Sequence, residues 1–483
     1  MKWSDRQLAI FDAYENTRKN IAIEATAGSS KTTCIVECCR RTPPNKKVLF
    51  MAFNKSIAEE LRERLPSHID VNTFHSKGLR VLLSNFRIKP KINENKCFVI
   101  GKKILETKDM DVKQQIRYLF EIQIIWNYIR VNLITDYEKE IPGICIEKNI
   151  EFQERMVGDM EQIRNAWHKE MKKINSVKEI NIDFTDMLYF PYQLLDSEDF
   201  PKYDVVVTDE SQDFSTIQKE LSMRYIKKSG RFVTVGDSRQ CIYGFQGSSL
   251  EVFKSLQSYP NTIVLPLDIT YRCGKNIVEE ARKVFDNGIV AAPNAIDGVV
   301  RKGEFDEAEN GDFILCRNNL PLATVFLYLL EMGKKATIKG KEYGDALVAL
   351  VDKIKYIEDL DAMCEKKISE LKERGLTDIQ AKNNPSYVAF LEKCTILKIL
   401  YKNWGDMKKL EDNIKEIYKN DTEGIVLSTI HKSKGLEADR VFLLNRSLIP
   451  SKYANTEEAL YNEKCLLFVA ITRARKELVY CNV

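Results

Sequence analysis

The sequence predicts an α/β fold built from two parallel-sheet domains, each interrupted by a mainly helical insertion. Short uninterrupted apolar runs, such as the three valines at 205–207, are typical of strands that a parallel sheet buries on both faces. The runs form two groups, and a long helical stretch interrupts each group, at 85–179 in the first and at 322–423 in the second. A length of 483 residues also exceeds what one hydrophobic core usually supports. The sequence therefore predicts several domains.

Composition indicates a soluble globular protein. Hydrophobic residues make up 44% of the chain and charged residues 30%, with a formal net charge of +4. The 12 cysteines show no CxxC spacing, which argues against a zinc site or a disulfide scaffold. The N-terminus lacks the apolar core of a signal peptide, and no long uncharged apolar stretch predicts a membrane span. We therefore expect a cytoplasmic protein, in the nucleoid or in a phage-infected cell.

The first helix and strand lead into a candidate phosphate loop. Ser4 is a good N-cap for a helix, and the stretch 20–25 predicts a strand. Small residues follow at 26–30, then Lys31 and Thr32 at the start of an amphipathic helix. In this context backbone N–H groups cradle phosphate, lysine neutralises its oxygens and the threonine hydroxyl reaches Mg²⁺.

The loop departs from the usual glycine pattern at two positions. Ala25 replaces the first glycine of GxxxxGK[ST] and Ser30 replaces the second. A serine before the lysine is expected to strain a backbone position that glycine accepts freely. An ordinary strand–turn–helix with an exposed lysine is the alternative interpretation of this stretch.

The next two predicted strands also end in polar residues. The strand at 48–52 is followed by Phe53 and Asn54, and Ser56 predicts a capping box for the helix that comes after it. A short strand or turn at 71–76 contains His75. Without further context this histidine is interpreted as a hydrogen-bonded loop residue, with a phosphate contact as the alternative.

The acidic pair Asp209-Glu210 follows the valine strand. Open parallel sheets place their ligands at the carboxyl ends of strands. There an aspartate can hold Mg²⁺ through water, and a neighbouring glutamate can polarise an attacking water. A later strand at 231–235 leads to Gln240, which could sense a γ-phosphate, and Arg272 supplies a candidate arginine for the triphosphate. The pair is informative only together with the phosphate loop.

The remaining strands predict a second sheet and a domain division. Strands are expected at 312–317, 424–430, 441–444 and 477–480. The predicted division has four parts. These are the first sheet domain at 1–84 and 180–264, its insertion at 85–179, the second sheet domain at 265–321 and 424–483, and its insertion at 322–423.

About eight motifs occur in order, and the set resembles UvrD/Rep/PcrA-like superfamily 1 DNA helicases. The sequence at 52–58 and 73–76 is most similar to the F-box DNA helicase branch and its phage relatives, and this similarity concerns only the motor domains. The resemblance implies two RecA-like P-loop domains with ATP bound between them. It also implies ATP and Mg²⁺ as cofactors and 3′ to 5′ movement on single-stranded DNA.

The resemblance also implies roles for individual residues. The residues implied to contact the adenine base are Gln7 and Tyr271, and the residue implied to contact the ribose is Glu437. For the phosphates it implies Ala27, Gly28, Ser29, Ser30, Lys31, Thr32 and Thr33, and for Mg²⁺ it implies Thr32 and Asp209. The implied catalytic set is Lys31, Glu210, Gln240, Arg272 and Arg473. The implied DNA contacts are Phe53, Asn54, Thr73, His75, Tyr243, Phe245 and His431.

Two further departures from the family concern affinity. Thr33 stands where relatives often carry an arginine, and Phe245 where many carry tryptophan. Three functions therefore stay open: a helicase or single-strand translocase, a catalytically weak DNA-binding protein, and a structural ATP-binding switch. We expect a monomer acting on single strands and single–double-strand junctions, with single-strand-binding or recombination proteins as partners and no membrane contact.

Overall fold

The computed structural model describes residues 3–107, 110–148, 150–242, 250–286, 288–373, 376–418 and 424–483. The strands are, in chain order, β1 (Asn20–Ala25), β2 (Val48–Ala52), β3 (Ile69–Thr73), β4 (Lys89–Ile92), β5 (Glu179–Ile182), β6 (Tyr203–Thr208), β7 (Ile226–Gly236), β8 (Thr262–Leu267), β9 (Ile269–Thr270), β10 (Val290–Ala291), β11 (Val299–Lys302), β12 (Phe313–Cys316), β13 (Ala336–Ile338), β14 (Ile425–Thr429), β15 (Ala438–Leu444) and β16 (Ala474–Cys481).

The α-helices alternate with these strands or cluster in two long stretches. In chain order they are α1 (Asp5–Asn16), α2 (Lys31–Arg40), α3 (Lys55–Arg64), α4 (Phe74–Asn85), α5 (Lys96–Ile104), α6 (Val112–Asn132), α7 (Tyr137–Glu147), α8 (Arg155–Lys172), α9 (Asp186–Leu194), α10 (Thr216–Arg224), α11 (Leu250–Gln257), α12 (Lys275–Arg282), α13 (Asn319–Glu331), α14 (Lys341–Val351), α15 (Asp359–Lys372), α16 (Asp378–Asn383), α17 (Pro385–Trp404), α18 (Met407–Ile417) and α19 (Glu457–Ile471).

The chain divides into two compact units. The first comprises Met1–Thr26 and Ser30–Asp268, and the second comprises Ala27–Ser29 and Ile269–Val483. The first unit contains a six-stranded sheet in the order β3-β2-β6-β7-β1-β8, with parallel pairing throughout.

Both faces of this first sheet are buried. Successive side chains of a strand point to opposite faces, so a strand between two helical layers must be apolar throughout. Along β2, Val48 and Phe50 lie in one hydrophobic core, whereas Leu49 and Met51 lie in another on the opposite face. The uninterrupted apolar runs in the sequence have this physical origin, and the predicted α/β class is confirmed.

A buried ion-pair network joins the helical stretch of the first unit to α9. Arg130 of α6 is fully buried, and its guanidinium donates to both carboxylate oxygens of Asp183 and to Asp186 at 2.6–2.9 Å. The Asp186 carboxylate also accepts from Lys96 at 2.5 Å and from the Trp167 indole at 2.7 Å. Removing one member would leave an unpaired buried charge, which typically costs about 3–5 kcal/mol.

The second unit repeats the layered arrangement. Its six-stranded parallel sheet has the order β11-β16-β15-β12-β14-β13. The central strand β12 is buried along its whole length, and α13 to α18 share its hydrophobic core. Two parallel sheets in two units agree with the two RecA-like domains that the resemblance implied.

Local details differ from the sequence-based expectations at two helix starts. The Asn54 side chain, and not Ser56, caps α3 by accepting from the Ile57 backbone N–H at 2.9 Å. His75 lies in the first turn of α4 and not in a loop, because the Thr73 hydroxyl caps that helix. Both errors arose because the caps lie closer to the strand ends than expected.

The described residues also bear on cysteines, metals and membranes. All 12 cysteines are buried free thiols. Across the described ranges, His, Cys, Asp and Glu side chains form no cluster of three or more that could hold a metal ion. Within the same ranges, none of the helices combines the length and the apolar character needed to cross a membrane.

Candidate nucleotide site and DNA-contact residues

Polar residues gather at the carboxyl edge of the first sheet. The phosphate loop follows β1, the pair Asp209-Glu210 follows β6, and Asp237 follows β7. The strands are parallel, so their carboxyl ends meet at one edge. The fold therefore brings together groups that lie more than 170 residues apart in the sequence.

The backbone of the phosphate loop is left-handed at two positions. Gly28 has φ +69°, and a Cβ there would lie 2.5 Å from the Cβ of Arg272 and 2.7 Å from the hydroxyl of Thr270. Ser30 has φ +64° and ψ +39°, and its side chain makes no capping hydrogen bond to α2. A non-glycine residue in this conformation costs about 1–2 kcal/mol. The strain expected at Ser30 from the sequence is confirmed.

We expect Ser30→Gly to raise the free energy of unfolding by about 0.5–1 kcal/mol. Glycine removes the left-handed strain, and its greater freedom in the unfolded chain offsets part of that gain. Urea unfolding at neutral pH measures the change. Ser30→Ala is the matched control: it keeps a Cβ on the same backbone and should stay within about 0.5 kcal/mol of the wild type. A glycine variant no more stable than the alanine variant would contradict the assignment of strain.

Two short contacts connect the phosphate loop to the acidic pair. The Lys31 Nζ lies 3.2 Å from one carboxylate oxygen of Glu210 and 3.3 Å from the other. The Thr32 hydroxyl donates to Asp209 at 2.8 Å. A hydroxyl and a carboxylate are hard oxygen ligands, which suit Mg²⁺ completed by water and phosphate oxygens. The residues present therefore fit this ion, and Thr32 and Asp209 would hold it.

The charge of Asp209 is poorly solvated. Burial, followed by repulsion from Glu210, raises the pKa of Asp209 to about 6, while Lys31 and the Thr32 hydroxyl oppose that rise. Glu210 itself has a left-handed backbone with φ +52°. Unfavourable backbone and charge states of this kind cluster at functional sites. A bound divalent cation would relieve the repulsion between the two carboxylates.

Gln240 is held within its own loop. Its amide nitrogen donates to an Asp237 carboxylate oxygen at 2.6 Å. The Arg239 guanidinium donates to the other Asp237 oxygen at 2.9 Å and to the backbone carbonyl of Ala25 at 2.6 Å. The Gln240 amide group has two N–H donors, so its bond to Asp237 does not by itself prevent a contact with a γ-phosphate.

Gln212, which the sequence analysis did not select, bridges the acidic pair to this loop. Its amide nitrogen donates to Glu210 at 2.6 Å, and its amide oxygen accepts from the Asp237 backbone N–H at 2.9 Å. A buried glutamine two residues after the acidic pair, with a Gly-Asp at the end of the neighbouring strand, was the signal that could have identified it. Asp237 and Arg239 were missed because their contacts with Gln212 and Ala25 join residues that are distant in sequence.

In the second unit, one of the two predicted arginines, Arg272, pairs with Glu437. The Arg272 guanidinium forms an ion pair with the Glu437 carboxylate and donates to the Thr472 carbonyl at 3.2 Å. Arg475 lies 3.5 Å from the same carboxylate. Arg473 is buried and donates to the carbonyls of Val469 and Leu436, both at 3.0 Å.

The predicted base-binding residues differ in their environments. The Gln7 side-chain oxygen accepts from the Ser4 backbone N–H at 3.0 Å, which completes a capping box for α1. Recognition of a base would therefore fall to its amide nitrogen. Tyr271 is 46% exposed, so its ring is available for stacking.

The predicted DNA contacts fall into three groups. Asn54 and Thr73 cap α3 and α4, so both have structural roles in addition to any contact with DNA. Phe53 is 38% exposed at the carboxyl edge of the sheet. Tyr243 and Phe245 lie outside the described residues.

The two predicted histidines are both kept neutral by burial. Burial lowers the pKa of His75, whose ring packs edge-on against Phe184 with centroids 6.4 Å apart. Burial and then the charge of Arg317 lower the pKa of His431 to about 3. Neutral imidazoles can accept or donate hydrogen bonds but add no charge for phosphate binding.

Comparisons with known proteins identify two family matches and several relatives. The family model of the UvrD/REP helicase N-terminal domain matches residues 6–260, and that of the UvrD-like helicase C-terminal domain matches residues 331–482. The F-box DNA helicase protein 1 of Schizosaccharomyces pombe is 24% identical over 518 residues, covering 99% of this chain and 57% of that protein.

Two bacterial relatives show the range of coverage. The ATP-dependent DNA helicase Rep of Buchnera aphidicola subsp. Acyrthosiphon pisum is 22% identical over 626 residues, covering 97% of this chain and 94% of that protein. The ATP-dependent DNA helicase PcrA of Bacillus subtilis is 26% identical over 306 residues, covering 57% of this chain and 39% of that protein. The chain thus spans little more than half of the fission-yeast relative and nearly all of the Buchnera one.

Proposed function

This chain belongs to the UvrD/Rep helicase family, and from that premise we propose that it is an ATP-dependent DNA helicase that moves 3′ to 5′ on single-stranded DNA. The observation that carries the proposal is the pairing of Lys31 with Glu210 and of Thr32 with Asp209 at one sheet edge. It matches the requirements of phosphoryl transfer: a cation for the phosphates, ligands for Mg²⁺ and a carboxylate for the attacking water.

Each residue has a defined task in this mechanism. Lys31 binds the terminal phosphates, and Glu210 orients water and accepts its proton. Mg²⁺, when bound, supplies charge neutralisation for the phosphate oxygens. Arg272 and Arg473 would add positive charge that stabilises the transferring phosphoryl group.

Binding and release of nucleotide would be coupled to movement on DNA. ATP would bind both arginines, and hydrolysis would release them. The protein would therefore alternate between two conformational states in each cycle. Phe53, Tyr243 and Phe245 would hold bases by stacking, which is worth roughly 1–3 kcal/mol per base and tolerates any sequence. The motor would then advance along a single strand without reading it.

Duplexes with a single-stranded tail on either end test activity and polarity together. We expect ATP-dependent unwinding of the substrate with a 3′ tail and little of the one with a 5′ tail. Unwinding only from a 5′ tail would contradict the polarity. Release of streptavidin from a biotinylated single strand without duplex opening would replace the helicase with a protein-stripping translocase.

A second candidate is a catalytically weak single-strand-binding protein with the same fold. Ser30 favours it, because a serine pays about 1–2 kcal/mol for a left-handed backbone that glycine adopts freely, which disfavours this conformation of the phosphate loop. This candidate predicts DNA binding without DNA-stimulated ATP turnover. It also predicts that Ser30→Gly raises turnover.

A further inference from the structure

Glu24 is a carboxylate near the carboxyl end of β1, which lies between β7 and the edge strand β8 of the first sheet. It is the penultimate residue of β1, and its register partners are Gly236 of β7 and Pro266 of β8. Its side chain is half-buried, and burial raises its pKa, while hydrogen bonds from Ser238 oppose that rise. Burying an ionisable group here costs free energy of folding unless its hydrogen bonds are satisfied.

The Glu24 carboxylate holds the loop that follows β7. One oxygen accepts two hydrogen bonds from Ser238, from the backbone N–H at 3.1 Å and from the hydroxyl at 2.7 Å. The other oxygen accepts from the side-chain amide of Gln257 in α11. Ser238 stands two residues before Gln240, so Glu24 fixes the base of the loop that carries this residue.

A second connection is made at the next residue of the loop. The Arg239 guanidinium donates to the carbonyl of Ala25, the last residue of β1. Ser238 and Arg239 are consecutive in the loop, and they contact Glu24 and Ala25, which are consecutive in β1. Ser238 contacts the Glu24 side chain, and the Arg239 side chain contacts the Ala25 backbone carbonyl. Since the phosphate loop begins directly after Ala25, a displacement of that loop would be carried to the Gln240 loop through two short connections.

We infer that Glu24 is a positioning residue that couples the phosphate loop to Gln240 and to the DNA-contacting stretch that follows it. This inference rests on the proposed function. Tyr243 and Phe245, the proposed base-stacking residues, stand only three and five residues after Gln240 in the sequence. Glu24 would therefore affect how strongly DNA accelerates hydrolysis, and not how tightly ATP binds.

The test compares ATP turnover with and without single-stranded DNA for Glu24→Ala, Glu24→Gln and Ser238→Ala. For Glu24→Ala we expect the DNA-stimulated kcat to fall about tenfold while KM for ATP stays within about twofold, which is typical of lost positioning. Glu24→Gln should keep most of the activity, because its amide oxygen still accepts from Ser238. Ser238→Ala should lower the stimulated kcat in the same direction but less than Glu24→Ala, because its backbone N–H still donates to Glu24, and the double variant should be no worse than Glu24→Ala.

The controls separate coupling from stability and from the proposed function. Glu170→Ala removes a surface carboxylate of the first unit and should leave kcat and KM unchanged. Unchanged DNA stimulation in Glu24→Ala, or a rise in KM alone, would overturn the inference while leaving the motor intact. Loss of stability with an unaltered ratio of stimulated to basal turnover would also overturn it. No DNA stimulation in the wild type would instead contradict the proposed function itself.

Discussion

Replacing Glu210 with glutamine is expected to lower DNA-stimulated ATP turnover by about a thousandfold, in the range typical of a lost general base. Glutamine keeps the size and the hydrogen-bonding oxygen of the side chain but cannot accept the proton of the attacking water. Lys31 and Thr32 remain in place, so Mg²⁺-ATP binding should persist. Phosphate release with saturating single-stranded DNA, together with binding of a fluorescent ATP analogue, measures the two effects separately.

Glu220→Gln is the matched control for this substitution. Glu220 lies on the half-exposed surface of α10 and forms a surface ion pair with Lys219 at 3.3 Å. Its neutralisation should change turnover by less than about twofold. Comparable turnover in Glu210→Gln and in the wild type would show that another group activates the water.

Asp209→Asn is expected to stabilise the nucleotide-free protein while abolishing Mg²⁺-dependent turnover. The pKa of Asp209 is about 6 in the folded state, against an ordinary value of 3.8. The folded state therefore binds this proton more tightly than the unfolded state, so stability falls as pH rises from about 4 to 6. At neutral pH the charged carboxylate lowers the free energy of unfolding by up to about 3 kcal/mol, and asparagine removes this destabilisation.

Urea unfolding at pH 7 and at pH 4 measures this effect. The variant should be more stable than the wild type at pH 7, and the difference should largely disappear near pH 4. Asp204→Asn is a control for which the change in stability at pH 7 should have the opposite sign. Although burial acts to raise the pKa of Asp204, hydrogen bonds from Lys227 and from the Lys47 backbone N–H lower it, so the charged carboxylate is stabilising there. Equal stabilities of wild type and Asp209→Asn at pH 7 would contradict a destabilising carboxylate.

The sequence predicted those features that depend on local pattern. Apolar runs identified the strands because both sheet faces are buried, and Ser4 as an N-cap identified the start of α1. The strain at Ser30 was predictable because the position before the lysine of a phosphate loop requires a left-handed backbone. The acidic pair was predictable from its place after a buried strand.

Features that depend on contacts between distant segments could not be predicted. The bridge from Glu210 through Gln212 to Asp237, and the connections from β1 to Ser238 and Arg239, join residues that become neighbours only when β1, β6 and β7 pair. The roles of Asn54 and Thr73 as helix caps were missed for a local reason. Helix α4 starts directly after β3, and only Phe53 and Asn54 separate α3 from β2, so no long loop marks either boundary.

The most direct test of a DNA-driven ATPase is ATP turnover with and without single-stranded DNA, for the wild type beside Lys31→Ala. Without Lys31 the terminal phosphates lose their cation, and Glu210 loses its ion-pair partner. We predict strong stimulation by DNA in the wild type and none in the variant. Turnover that is equally low in both proteins, with or without DNA, would contradict the account and favour the DNA-binding protein with an inactive phosphate loop.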